Sequence, residues 1–307
     1  MYKHILPTFK GVSGYVLVTI NTIFIFILFF PVALVKKIFH NDNIAKICLW
    51  YLHKMGKTWI IINYLIVKLL SGIKWEVTGS EKVNNLPQNK WYLLISNHQS
   101  WNDVFILQFL LNRKLPFQKY LVKEKMRSFP MMGFVWEALD CPFLKRSQLA
   151  EKQDFSAGIE SGSDIENIKK KCVQFKLTPA TITTFIEGTR YTVVKHDEQN
   201  SPYKYLLKPK IGGIAAILEE LHNEIRGIID VSICYLPRKL SFWDLFAGNI
   251  NKISARIDFI ELPDWLLEKY KNNIKYEQYK TEFNEWINTL WLCKDNYLQK
   301  KYNDLTI

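Results

Sequence analysis

From Gly11 to Val35 the chain reads GVSGYVLVTINTIFIFILFFPVALV, a run of 25 residues without a charge. Coiled as a helix, such a run is roughly 37 Å long, against a hydrocarbon core of about 30 Å. A secretory leader fits poorly, because its apolar core would span only about 7–15 residues before a small-residue cleavage site. Lys36 and Lys37 follow at once, and Lys46, Lys54 and Lys57 come soon after, against Lys3 and Lys10 ahead of the run. The positive-inside bias then predicts a membrane anchor over residues 1–40. The bulk of the chain is expected on the cytoplasmic side, at a bacterial inner membrane or a eukaryotic endomembrane. Pro31 leaves two anchoring modes open, a full span or a segment that dips in and returns.

Residues 41–72 contain IAKICLWYLHKMGKTWIIINYLIVKLL, with Trp50, Tyr51, Trp59 and Tyr64 among Lys46, Lys54, Lys57 and Lys68 at helical spacing. Two readings are compatible with that pattern: a helix lying in a headgroup layer, and an amphipathic helix packed on the domain that follows. One side of a helix can serve each.

Beyond Gly72 the pattern changes. IKWEVTG, KWYLLIS, FQKYLVK, TITTFIE and IIDVSICYL are short, rich in β-branched and aromatic residues, and bounded by turn residues, which predicts strands. Between them NDVFILQFLLNR, QLAEKQDFSAGIESG, DIENIKKKCVQFKL and GGIAAILEELHNEI are helical in character. The alternation predicts an α/β catalytic domain over residues 73–262, a mostly parallel mixed sheet flanked by helices. A charged, aromatic and helical tail over 263–307 is expected to pack on it. Lys and Arg exceed Asp and Glu by 41 to 29, a surplus suited to an anionic partner. The five cysteines are widely spaced and form no CxxC pair, which argues against a disulfide framework or a zinc site.

In such sheets ligands collect at the carboxyl ends of the strands. Two polar clusters fall there, Asn97-His98 after KWYLLIS and Glu187-Gly188-Thr189-Arg190 after TITTF. If a helix starts near Ser100, Asp103 lies in its first turn with its carboxylate directed back at the loop. There it can accept from His98 Nδ1–H and leave Nε2 as a base. Ser100-Trp101-Asn102-Asp103 also matches a capping box, which gives Asp103 a second reading as a helix cap. In the other cluster Gly188 permits an unusual backbone angle, Thr189 offers a hydroxyl, and Arg190 offers a planar fork matched to phosphate. Taken singly, each cluster has an ordinary structural explanation. Placed at one sheet edge, they suggest a site.

Four ordered segments, NHQSWND (Asn97–Asp103), FLKR (Phe143–Arg146), FIEGTR (Phe185–Arg190) and DVSICYLP (Asp230–Pro237), resemble the motifs of the PlsC-type lysophospholipid and glycerolipid acyltransferases. EGTRYTVVKH and LLKPKIGGIAAIL are similar to the YihG-like branch and to its lysophosphatidic acid and lysocardiolipin relatives. The resemblance implies the glycerolipid acyltransferase fold and a His98–Asp103 general-base dyad. It also implies an acceptor-binding group of Asn97, Lys145, Arg146, Glu187, Gly188, Thr189 and Arg190. The expected reaction moves an acyl group from acyl-CoA or acyl carrier protein to the free hydroxyl of a lysophospholipid, such as 1-acyl-glycerol-3-phosphate, at a bilayer. No cofactor, metal or nucleic acid is expected. Backbone N–H groups at the start of the Asp103 helix are candidate oxyanion donors. Lys208 and Lys210 depart from the Pro-Arg usual at KPKIGG, so headgroup preference is not carried over, and Lys145 adds a second cation beside Arg146.

Two other function classes compete. A hydrolase or thioesterase using His98 would be expected to show a G-x-S-x-G elbow, which this sequence lacks. A membrane-tethered basic binding module is favoured by charge alone, and no nucleic-acid-binding pattern accompanies it.

Overall fold

The computed structural model describes residues 2–144, 169, 172, 176–238 and 240–304. In chain order the elements are α1 (Tyr2–Ile38), α2 (Asp42–Ser71), β1 (Lys74–Thr78), α3 (Glu81–Asn84), β2 (Trp91–Ser96) and α4 (Asp103–Leu111). There follow β3 (Gln118–Tyr120), β4 (Val122–Lys123), a 3-10 turn at Glu124–Ser128, α5 (Met132–Ala138), β5 (Phe143–Leu144) and β6 (Thr181–Phe185). The last part holds α6 (Val193–Glu198), α7 (Gly212–Leu221), β7 (Ile225–Leu236), α8 (Asp244–Ala247), β8 (Lys252–Ile260), α9 (Asp264–Lys271) and α10 (Tyr276–Asn303).

The six-stranded sheet has the order β1-β8-β7-β2-β6-β3. β7, β2, β6 and β3 are mutually parallel, and β8 joins β7 antiparallel while pairing β1 in parallel. A mixed α/β sheet flanked by helices was thus legible from the alternation. β2 lies inside the parallel block, and its Tyr92, Leu93, Leu94 and Ile95 are fully buried, as expected for a strand covered on both faces. One face packs on α7, α9 and α10, and the other on α4, the end of α2 and α8.

Two strands differ from expectation. FQKYLVK is not one strand: β3 joins the main sheet, and β4 pairs with β5 in a separate two-stranded sheet. β8 was not among the expected strands, because Lys252, Arg256 and Asp258 interrupt its apolar character. Its Ile253, Ala255 and Ile257 alternate inward and are buried, so the period-two signal was present. The helical stretches expected around 148–177 lie almost wholly outside the described residues.

α1 and α2 form an antiparallel hairpin. Asn41 caps α2 by accepting from Asn43 N at 2.9 Å and Ile44 N at 3.2 Å, and Gly72 ends it at φ 67°. Pro31 sits inside α1 and does not end it. Polar contacts set the register of the pair: buried Asn21 Nδ2 donates to Asn63 Oδ1 at 2.8 Å, and half-buried Trp59 Nε1 donates to Thr22 Oγ1 at 3.0 Å. By length and composition α1 can cross a membrane. It is nevertheless held against the domain at both ends. Near its start a Cβ on Gly11 would fall 2.2 Å from Trp243, and one on Gly14 would fall 2.7 Å from Phe246. At its far end Lys36, read above as a membrane flank, donates to Ala138 O at 2.9 Å and pairs with Asp140 at 2.5 Å. Leu6, Phe9, Ile20, Phe24 and Ile27 remain exposed along the outer side.

The tail is tied into the sheet. Fully buried Lys294 on α10 pairs with Asp230 on β7 at 2.6 Å and donates to Val231 O at 2.6 Å. Burial lowers the Lys294 pKa, and the Asp230 charge opposes that shift.

Candidate active site

Asn97 is the first residue past β2, and its side chain is consumed by the sheet. Its Nδ2 donates to Ile233 O at 2.9 Å and its Oδ1 accepts from Ile233 N at 2.8 Å. The residue is fully buried. That arrangement extends the link between β2 and β7 by one position, so Asn97 shapes the loop where the resemblance implied contact with the acceptor.

His98 Nδ1 lies 2.8 Å from Asp103 Oδ2. The same oxygen accepts from Gln99 N at 2.6 Å and Ser100 N at 2.9 Å, and Oδ1 accepts from Tyr235 Oη at 2.5 Å. Ser100 Oγ in turn accepts from Asn102 N at 3.2 Å. Only half of the capping box forms, because Ser100 Oγ takes the Asn102 amide and the N-cap residue Asn102 makes no side-chain cap; one buried carboxylate still braces the turn before α4 and orients the imidazole. Phe185 stacks on the ring with centroids 4.0 Å apart, covering one face. The His98 side chain is 14% exposed, and its Nε2 has no partner among the described residues. The Gln99 and Ser100 amides, candidates above for an oxyanion hole, are committed to Asp103, and the Asn102 amide is committed to Ser100. Those three donors are unavailable to an oxyanion.

Tyr235 was not singled out from the sequence. On β7 it looked like any core aromatic, and only the sheet register brings its hydroxyl to residue 103. Burial and the Asp103 charge push its phenol well above the ordinary value, so it stays protonated and donates.

The second cluster meets the first. Glu187 is fully buried, accepting from His98 N at 2.8 Å through Oε1 and from Leu207 N at 3.0 Å through Oε2. Burial raises its pKa to about 8, against the lowering effect of those two amides. It joins the His98 loop to the segment at Leu207, and its full burial keeps both oxygens from a bound substrate. Gly188 has φ 68° and bonds Phe185 O at 2.8 Å, a turn that favours glycine. Thr189 Oγ1 accepts from Lys195 Nζ at 2.6 Å. Arg190 is exposed, with its guanidinium 4.5 Å from the Trp101 ring centroid. Tyr191 N then donates to His98 O at 2.7 Å. Lys145 and Arg146 lie outside the described residues.

α10 completes this loop system. Asp295 accepts from Lys204 N at 2.9 Å and Tyr205 N at 2.8 Å, and Trp291 Nε1 donates to Leu207 O at 2.9 Å. Tyr205 O accepts from Gln99 Nε2 at 3.1 Å. Among the described residues no group of three or more His, Cys, Asp or Glu side chains could share a metal ion.

The site therefore offers an oriented imidazole with one open nitrogen, beside an exposed guanidinium presented on an aromatic ring. A family model described as Acyltransferase matches residues 74–235, from β1 to the tyrosine behind the dyad. The chain belongs to the acyltransferase family. Among curated relatives, this acyltransferase is 24% identical over 165 residues to 1-acyl-sn-glycerol-3-phosphate acyltransferase epsilon of Mus musculus, covering 49% of this chain and 42% of that protein. It is 24% identical over 192 residues to lysocardiolipin acyltransferase 1 of Danio rerio, covering 61% and 47%. Against 1-acyl-sn-glycerol-3-phosphate acyltransferase of Saccharomyces cerevisiae the identity is 28% over 127 residues, covering 41% and 36%. The chain thus spans about half or less of the length of these relatives. No solved structure gives a significant match.

Proposed function

We propose that this protein transfers a fatty acyl group from an acyl thioester, acyl-CoA or acyl carrier protein, to the free hydroxyl of a lysophospholipid. The observation that carries the reading is the buried Asp103 carboxylate on His98 Nδ1, with Nε2 left open. His98 Nε2 takes the hydroxyl proton as the acceptor oxygen forms its bond to the thioester carbonyl carbon. Asp103 steadies the imidazolium without taking a proton itself. The tetrahedral intermediate collapses, the C–S bond breaks, and the leaving sulfur takes the proton from Nε2–H. The imidazole is neutral again. No electrons are gained or lost.

Arg190 holds the acceptor's phosphate in this reading, since its fork faces solvent at the mouth of the site. The apolar α1–α2 hairpin seats the enzyme on the bilayer that holds both acceptor and product, with the catalytic domain on the cytoplasmic side. An apolar cavity of about 100 Å³ between that hairpin and α5 supplies space for part of an acyl chain. Tyr120 on its wall reaches Val104 O, next to Asp103, at 3.4 Å.

Detergent-solubilised protein given acyl-CoA should release free thiol only when a lysophospholipid is added. Lipid mass spectrometry should then find the acceptor carrying one more acyl chain. Thiol release with free fatty acid and no acylated lipid would instead assign the site to a hydrolase. 1-Acyl-glycerol-3-phosphate is the first acceptor to try. Arg190→Ala should raise the acceptor KM by about 10-fold to 100-fold, the loss of a charged hydrogen-bonding partner, with a smaller change for the donor. An unchanged acceptor KM would remove Arg190 from the phosphate site.

A further inference from the structure

β7 runs past Val231, the last of its residues in register with β2, to Leu236, and Arg238 follows two residues later. Its guanidinium is surrounded by tyrosine rings, 4.6 Å from Tyr191, 4.6 Å from Tyr205 and 5.4 Å from Tyr302. Among the described residues no carboxylate pairs with it, and its buried Nη2 has no hydrogen-bond partner. Aromatic faces attract the cation but accept none of its N–H bonds in the manner of an oxygen, so the fork keeps unused donors.

The walls of this cage belong to the site. Tyr191 N donates to His98 O, and Tyr205 O accepts from Gln99 Nε2. Tyr191 also follows Arg190 directly. Two guanidinium groups thus flank the His98 loop, Arg190 against Trp101 and Arg238 between Tyr191 and Tyr205, and neither has a carboxylate partner among the described residues. Arg238 and Tyr302 both lie beyond the residues matched by the family model, which end at 235. The second cation is therefore a feature of this chain outside the matched region.

We propose that Arg238 is a second anion-binding residue of the acyl-transfer site, taking a further phosphate of a substrate while Arg190 holds the acceptor's first. The proposal rests on the lysophospholipid acyltransferase reading above. A planar fork with open donors, held rigid by three rings, matches a phosphate better than any neutral group. That phosphate has two sources, an acceptor headgroup carrying two phosphates or the phosphates of an acyl-CoA donor.

The test compares wild type, Arg238→Gln and Arg238→Lys in two arms. One arm sets monolysocardiolipin, with two phosphates, against 1-acyl-glycerol-3-phosphate, with one. The other sets acyl-CoA against acylpantetheine, which has none. In one arm Arg238→Gln should raise KM for the phosphate-richer member by about tenfold more than for its counterpart, and Arg238→Lys should recover part of that difference. The arm that responds identifies the source. Equal KM changes within both arms, or a fall in kcat alone, would reduce the cage to packing and overturn the proposal. Melting temperatures with and without inorganic pyrophosphate give a readout apart from turnover. Stabilisation in wild type that is lost in Arg238→Gln supports the anion site, and equal responses overturn it. Should wild type transfer no acyl group to any acceptor, the enzymatic reading fails, and the pyrophosphate comparison still decides Arg238.

Discussion

His98→Ala should lower kcat by about 10²–10⁴-fold, the range that a positioned general base contributes, while the protein remains folded. The side chain makes one polar contact, to Asp103, and stacks on Phe185. Its removal leaves Asp103 with its bonds from Gln99 N, Ser100 N and Tyr235 Oη, so the carboxylate is not stranded. Losing one such bond costs on the order of 1–2 kcal/mol, small beside the catalytic loss. Thiol release measured alongside a thermal melt separates the two effects. Near-full activity in a folded His98→Ala protein would sink the mechanism.

Asp103→Asn should reduce both activity and stability, because one carboxylate serves two tasks. The native oxygens accept four hydrogen bonds, from His98, two backbone amides and Tyr235. An amide has one oxygen and an NH2 group, so at least one donor in this buried cluster loses its acceptor. The expected cost is about 2–3 kcal/mol, in the range of bonds to a charged group. If the NH2 turns toward His98, Nδ1 becomes an acceptor, the ring proton moves to Nε2, and the base is lost. Activity should therefore fall by about 10²-fold or more, with a lower melting temperature than His98→Ala shows. A variant as stable and active as wild type would mean that the carboxylate neither braces the turn nor orients the ring.

How far the site could be read in advance depended on sequence separation. His98 and Asp103 are five apart, and a helix start alone brings them together. The Glu187–Arg190 block was placed at the same edge by the rule that strand ends gather ligands, and β2 and β6 are indeed neighbours. The detailed roles were less legible. Asn97 and Glu187 carried the polar look of ligand-binding residues, yet backbone groups far away in sequence take up their polar atoms. Tyr235, Trp291 and Asp295 resembled core or tail residues, because their partners lie about 84–132 positions away. The fold shows the same division. Alternating apolar runs marked the parallel strands, whereas the charges on β8 obscured its inward alternation. Pro31 raised a break in α1 that the helix does not make.

The link from α10 to the His98 loop also orders events during synthesis. The α1–α2 hairpin is made before the domain that follows it, whereas Trp291 and Asp295, which hold Tyr205 and Leu207 in place, are made long after His98. A nascent chain therefore exposes its apolar hairpin while the loop around its histidine still lacks support. Such late, non-local closure delays the working geometry until α10 has been made. The order puts the apolar hairpin in place before the histidine loop is held.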